Sequence, residues 1–204
     1  SLDASDTARE MEELLREISK HCDLDERIPQ IPASAKVRGF YFHSMEGVVR
    51  DAGLGERYDA LFPGSFSTLR WYPVQDYLTR CAVAGALLAS PERVHDGMQE
   101  VGRRYMMAFG ESLIGRTMIR LLSRDPHKLL EQGQASRRQS CSFGRWDLEF
   151  PEERVAIITM HDEYLYMESI LRGAAEGTFE SLGIRVDVEV ELFDRFNGRH
   201  TLRW

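Results

Sequence analysis

The stretch from Tyr164 to Trp204 constrains this chain most, because only one arrangement satisfies its pattern: a helix followed by a closing β-hairpin. Val186, Val188, Val190 and Leu192 alternate with Asp187, Glu189 and Glu191, the period of a half-buried strand. Asn197-Gly198 supplies a turn before Arg199–Trp204. A two-residue loop would put Arg203 opposite Leu192, a charge on the apolar face. A three-residue loop, Phe196-Asn197-Gly198, pairs Leu192 with Leu202, Val190 with Trp204 and Glu191 with Arg203, and satisfies both faces. Asp187, Glu189 and Glu191 then form a solvated outer face. A carboxylate row for a metal is the alternative, and no histidine or cysteine matches it. In the preceding helix Ile170, Gly173, Ala174 and Gly177 fall on one stripe, flanked by Met167 and Leu171. Glycine inside a helix costs about 1 kcal/mol relative to alanine, so two of them predict a close backbone approach to a sheet or another helix. Gly183 ends the helix.

Upstream, Ala4–Lys20 is an amphipathic helix with Met11, Leu14, Leu15 and Ile18 as its apolar stripe and Ser5 or Asp6 as its cap. It reads as docked on the body or, alternatively, as a partner-binding or dimer helix. The Pro-rich connector Ile28–Ala35 follows. It divides the chain into a leading segment, 1–35, and a single α+β domain, 36–204. Val37–His43 reads as a strand, Gly47–Gly55 as a short helix and its stop, and Phe62-Pro63-Gly64-Ser65 as a turn. Trp71-Tyr72-Pro73-Val74 opens a helix whose buried face carries Tyr77, Cys81, Ala84 and Leu88. From Ser90-Pro91 a further helical pattern runs through Val94, Met98, Val101, Tyr105 and Ala108, breaks near Gly110 and resumes at Ile119 and Leu122. Asp125-Pro126 starts another helix. Ser140–Phe150 and Val155–His161 read as a hairpin joined at Pro151-Glu152-Glu153, and the second strand, apolar on both faces, suits a central place in a sheet covered on both sides. The predicted fold is therefore α+β: an antiparallel sheet packed against several helices, closing with a helix and then a β-hairpin.

At 204 residues the chain supports one sizeable core. Its net charge of −7 argues against a general grip on nucleic acid or an anionic membrane. No run reaches transmembrane length. Cys22, Cys81 and Cys141 are odd in number and widely spaced, which fits a reducing cytoplasm better than a disulfide framework. The opening at Ser1 rather than methionine is what a trimmed or excised chain would show.

Val37-Arg38-Gly39-Phe40-Tyr41-Phe42, Trp71-Tyr72-Pro73-Val74-Gln75-Asp76-Tyr77, Gly102-Arg103-Arg104-Tyr105, Gly115-Arg116 and the Gly173–Trp204 unit resemble a paralogous family of uncharacterised proteins of about this length, best known from myxobacteria. The layout is also similar to a wider superfamily that includes the 4-vinyl-reductase-type small-molecule-binding domain, the haem nitric-oxide-binding domain and the TRAPP vesicle-tethering subunits. That resemblance implies helices against an antiparallel sheet, with a ligand pocket between them or a dimerisation surface. It does not imply catalysis.

The residues offer no complete catalytic constellation. The haem-binding members hold the propionates with tyrosine, serine and arginine at alternate positions; Tyr164-Leu165-Tyr166-Met167-Glu168 comes nearest and lacks the serine and the arginine. His95 is the candidate proximal ligand, against its reading as a surface residue. His21-Cys22 is two ligands short of a zinc site. Gly110-Glu111-Ser112-Leu113-Ile114-Gly115 places its second glycine one position late for a nucleophile elbow, in a helical context. His161-Asp162-Glu163 is either an acid–base group at a strand end or a polar cap of the next helix. Arg137-Arg138 and Arg103-Arg104 read as solvated faces. No cofactor and no metal is expected. The favoured expectation is a non-enzymatic sensory or regulatory domain that binds a small apolar or aromatic ligand through Trp71, Tyr72, Tyr105 and Phe109. The alternative is a homodimerising protein-interaction module without a small-molecule ligand.

Overall fold

The computed structural model describes residues 4–111 and 113–204. The chain forms two compact units, Ser1–Val101 and Gly102–Trp204.

The first unit is mostly helical. Helix α1 (Ala4–Ile18) packs on α4 (Gly55–Leu61) and α5 (Val74–Leu88), with Ile18 fully buried and Arg57 paired to Glu10 at 3.0 Å. Helix α1 starts at Ala4, so Ser5 and Asp6 fall inside its first turn rather than before it. The short α2 (Leu24–Arg27) follows. The predicted strand Val37–His43 is mostly helix: β1 is only Lys36–Arg38, and α3 runs Phe40–Asp51. The aromatic run misleads here, since the buried positions Phe42, Met45, Val48 and Val49 have the helical period. Trp71–Pro73, predicted as a helix opening, is instead β2, paired antiparallel with β1 (Val37 opposite Tyr72), and α5 begins at Val74. Tyr77, Cys81 and Ala84 line its buried face as expected. Helix α6 (Val94–Glu111) follows a single 3₁₀ turn. A Cβ on Gly97 would sit 1.9 Å from the Gly85 carbonyl oxygen, so backbone meets backbone between α5 and α6.

In the second unit come the last part of α6, then α7 (Leu113–Leu121) and α8 (Pro126–Ser140); the predicted break near Gly110 falls beside Ser112, outside the described residues. Asp125 caps α8 by accepting from the His127 N–H at 2.9 Å. An antiparallel sheet follows in the order β3 (Arg145–Glu152), β4 (Val155–His161), β6 (Gly198–Arg203), β5 (Asp187–Leu192). Strand β4 is central as predicted, but it is not covered on both sides: Ala156, Ile158 and Met160 are buried, while Val155, Ile157 and Thr159 are half-exposed. Between β4 and β5 the helix opens with a π turn, Met167–Leu171, and continues as α9 (Arg172–Ser181) until Gly183 at φ +72°. The fold is α+β and closes with a helix and a β-hairpin, as the sequence predicts.

The register of that hairpin differs from the prediction. Leu192 pairs with Gly198, Glu191 with Arg199 and Val188 with Leu202, around a five-residue loop. Asp194 decides this. Its Oδ1 accepts from the N–H groups of Phe196 (2.8 Å) and Asn197 (2.9 Å) and from the Asn197 side-chain amide (2.9 Å), bonds that hold Asp194 below the usual carboxylate range. The shift is four residues, an even number, so every side chain keeps its predicted face. Glu191–Arg199 (2.6 Å) and Glu189–Arg203 (2.9 Å) occupy the exposed face in place of Glu191–Arg203.

The small-residue stripe has its predicted cause. A Cβ on Gly177 would lie 2.2 Å from the Arg103 carbonyl oxygen, and one on Gly102 2.1 Å from that of Ile170, so α9 and α6 touch backbone to backbone. Gly177→Ala should destabilise the fold by about 1–3 kcal/mol through overpacking. Gly47→Ala, in the interior of α3 with open space at its Cβ, should stabilise it by about 0.5–1 kcal/mol. Urea midpoints at constant slope measure both.

Candidate functional site

The first unit concentrates aromatic side chains from α3, β2, α5 and the segment after α4. Phe42 stacks on Phe66 with centroids 3.9 Å apart and 16° between planes. Tyr72 meets both edge-on, at 5.6 and 4.9 Å, and Tyr77 meets Phe42 at 5.5 Å. Such offset and edge contacts match ring quadrupoles. The Arg80 guanidinium lies over two of the rings, 4.4 Å from Phe62 and 4.7 Å from Phe66. Tyr58, 1% exposed, packs its ring 5.2 Å from Phe62.

Two polar atoms in this cluster are poorly satisfied. The Tyr58 hydroxyl and Arg80 Nη1 are both buried, and neither meets a partner at full hydrogen-bond geometry, although the Arg80 side chain lies near enough to the hydroxyl to interact with it. Burial pushes the Tyr58 hydroxyl pKa up, and the neighbouring Arg80 guanidinium offsets part of the rise. Most buried polar groups in folded proteins are paired, so a hydroxyl and a guanidinium N–H left open in one aromatic cluster form a candidate place for an oxygen acceptor. Cys81, one residue on, is no nucleophile there: burial pushes its thiol up to about 12.

Of the predicted ligand contacts, Tyr72 belongs to this cluster, and its hydroxyl accepts the Ser67 N–H at 2.8 Å. Trp71, its neighbour on β2, points to the other face, 37% exposed beneath the Arg38 guanidinium at 3.9 Å. Tyr105 and Phe109 lie one turn apart on α6 within the second unit, both half-buried. Sequence reasoning passes over Tyr58, Phe62, Phe66 and Arg80. Arg80 carries the available signal, an arginine inside the otherwise apolar stretch Tyr77–Leu88.

His161-Asp162-Glu163 resolves into a structural clamp in the second unit. Asp162 turns to φ 49°, which ends the strand alternation. His161 Nε2 pairs with Asp147 at 3.1 Å, while Glu163 is fully buried. The Glu163 carboxylate accepts from Arg137 Nη2, from Trp146 Nε1 at 2.9 Å and from the Leu165 N–H at 3.0 Å. Arg137 is therefore not on a solvated face; it is 6% exposed, and its Nη1 also donates to Cys141 Sγ at 2.9 Å. Arg103, too, is half-buried and paired to Glu180 at 2.8 Å. Ser112 lies outside the described residues. Among the described residues no group of three histidine, cysteine or acidic side chains could hold a metal ion, and no helix is long and apolar enough to cross a membrane.

This architecture has solved counterparts. The chain is similar in fold to an H-NOX protein from K. algicida, with a TM-score of 0.59 and 12% identity over 81% of this chain and 95% of that one. It is similar to the protein of a structure described as modulating haem redox potential through porphyrin distortion, with a TM-score of 0.58 and 14% identity over 82% and 99%. An H-NOX variant from S. oneidensis matches with a TM-score of 0.56 and 10% identity over 81% and 95%. No curated protein matches the sequence. Residues 31–204 match the family described as protein of unknown function DUF2378, and the chain belongs to that family.

H-NOX likeness raises haem, and the residues here do not fit it. At the alternate positions that should grip propionates stand Tyr164, Tyr166 and Glu168. Tyr166 is fully buried, and the buried Glu168 Oε2 has no donor, so this end offers a carboxylate where a cation is required. Several histidines already engage a ring nitrogen: His43 with the Phe66 carbonyl, His127 with Asp125, His161 with Asp147 and His200 with the Met167 carbonyl.

His200 sets a pH limit on the second unit. It is 1% exposed, donates from Nε2 to the Met167 carbonyl at 2.8 Å, and burial lowers its pKa from 6.5 to about 4. The unfolded chain therefore binds the proton first. Stability should fall as pH drops from about 6.5 towards 4, by up to about 3 kcal/mol. The fall should be shallower in His200→Gln when urea unfolding is followed against pH. Glu163→Gln leaves Arg137 buried against a neutral partner and should cost about 3–5 kcal/mol, read as a loss of melting temperature; an unchanged melt would remove the clamp from the account.

Proposed function

We propose that the chain is a non-enzymatic sensory or regulatory domain that binds a small aromatic or apolar molecule bearing an oxygen acceptor. The poorly satisfied Tyr58 hydroxyl and Arg80 Nη1, set among Phe62, Phe66 and Tyr72, are the observation that carries this reading. An acceptor oxygen placed between them completes both, and the rings supply faces for a planar body. Likeness of fold to the H-NOX proteins supports a sensory role and supplies no ligand. Tyr72, in the same unit as Tyr58 and Arg80, is the proposed aromatic contact among the rings that the sequence singles out.

Native mass spectrometry of the chain purified without additives, with an absorbance spectrum, tests the reading. A bound organic molecule is expected, lost or weakened about 10-fold or more in Tyr58→Phe and Arg80→Met. Tyr58→Phe should at the same time raise the stability of the ligand-free chain by about 1 kcal/mol, because it removes a poorly satisfied buried hydroxyl. A ligand that survives both substitutions, or a chain that carries none and binds none from a library of aromatic carboxylates and phenols, refutes the proposal.

A further inference from the structure

Helix α7 has two apolar faces, and only one is used. Gly115 and Ile119 are buried. On the opposite side Leu113, Ile114 and Leu121 stand 76%, 71% and 76% exposed. They make up three of the seven large apolar side chains exposed among the described residues, all on one helix of nine residues, so the exposure is clustered rather than scattered. At the helical angular step, Leu113, Ile114, Thr117 and Leu121 fall within an arc of about 100°. Ile114, Thr117 and Leu121 follow a three-then-four spacing, the seam by which one helix packs along another.

Charge selects what lies on that seam. Arg116 and Arg120 are exposed along one edge of the arc and form no ion pair among the described residues. No acidic residue occurs from Leu113 to Arg124, although the chain as a whole carries −7. A second α7 packed on the first would add to this positive charge with no acid to relieve it. A bilayer is less well matched, because helices that lie in a membrane surface spread basic residues over a solvated polar face, and the side of α7 opposite its exposed seam is buried. We propose that α7 is a docking face for an amphipathic helix of a partner protein, with leucine or isoleucine at the seam and acidic residues along the edge that meets Arg116 and Arg120. This surface is independent of the Tyr58–Arg80 cluster.

The test uses the full chain and two synthetic helical peptides with the same leucine seam, one edged with glutamate and the other with lysine, followed by fluorescence anisotropy. The glutamate peptide should bind at least about 10-fold tighter than the lysine peptide. Arg116→Glu combined with Arg120→Glu should invert that order, and Ile114→Ser combined with Leu121→Ser should abolish both. All four positions are exposed, and a circular-dichroism melt checks that each variant is folded. Equal binding of the two peptides, binding of neither, binding to phosphatidylglycerol vesicles alone, or a concentration-dependent dimer in sedimentation that the serine variant abolishes would each overturn the proposal. Ligand binding by the first unit, measured in the same variants, should be unchanged.

Discussion

The buried Glu163 carboxylate ties several parts of the second unit together. Through Arg137 it reaches α8, through Trp146 it reaches β3, and through the Leu165 N–H it fixes the chain leading to the π turn. Its own backbone N–H donates to Phe196 in the closing hairpin loop at 2.8 Å. Taking a carboxylate out of water is costly, and only several donors at short range offset that cost. The same saturation makes Glu163 unavailable as a general base.

The first unit shows the opposite condition. Around Arg80 the rings are well packed, yet the Tyr58 hydroxyl and one guanidinium nitrogen are left without a partner at full hydrogen-bond geometry. A saturated ionic clamp in one unit thus contrasts with a poorly satisfied polar pair in the other, the pair on which the proposed ligand site rests.

Much of the fold could be read from periodicity. The α+β class, the helices around Tyr77 and Val94, the helix start at Asp125-Pro126 and the closing helix and hairpin follow from spacing, and the Gly177 stripe correctly signals backbone contact. Errors fall where short-range signals compete. Phe40-Tyr41-Phe42 has strand composition with helical spacing, and Asn197-Gly198 offers a turn that Asp194 pre-empts with three hydrogen bonds. The candidate site was less legible. Tyr72 could be picked out as an aromatic, but Tyr58, Phe62, Phe66 and Arg80 come from separate segments, and no local pattern links them.

By itself, then, the sequence determined which residues face inward along each element, because side-chain direction repeats with the backbone and survives even a four-residue register shift. Only the tertiary structure decided which polar groups find partners. Arg137 and Arg80 are both arginines on helices that lie over aromatic rings; Arg137 also meets a buried carboxylate, and no ion pair is seen for Arg80 among the described residues. Pairing depends on distances between segments far apart in the chain, and periodicity carries no information about those.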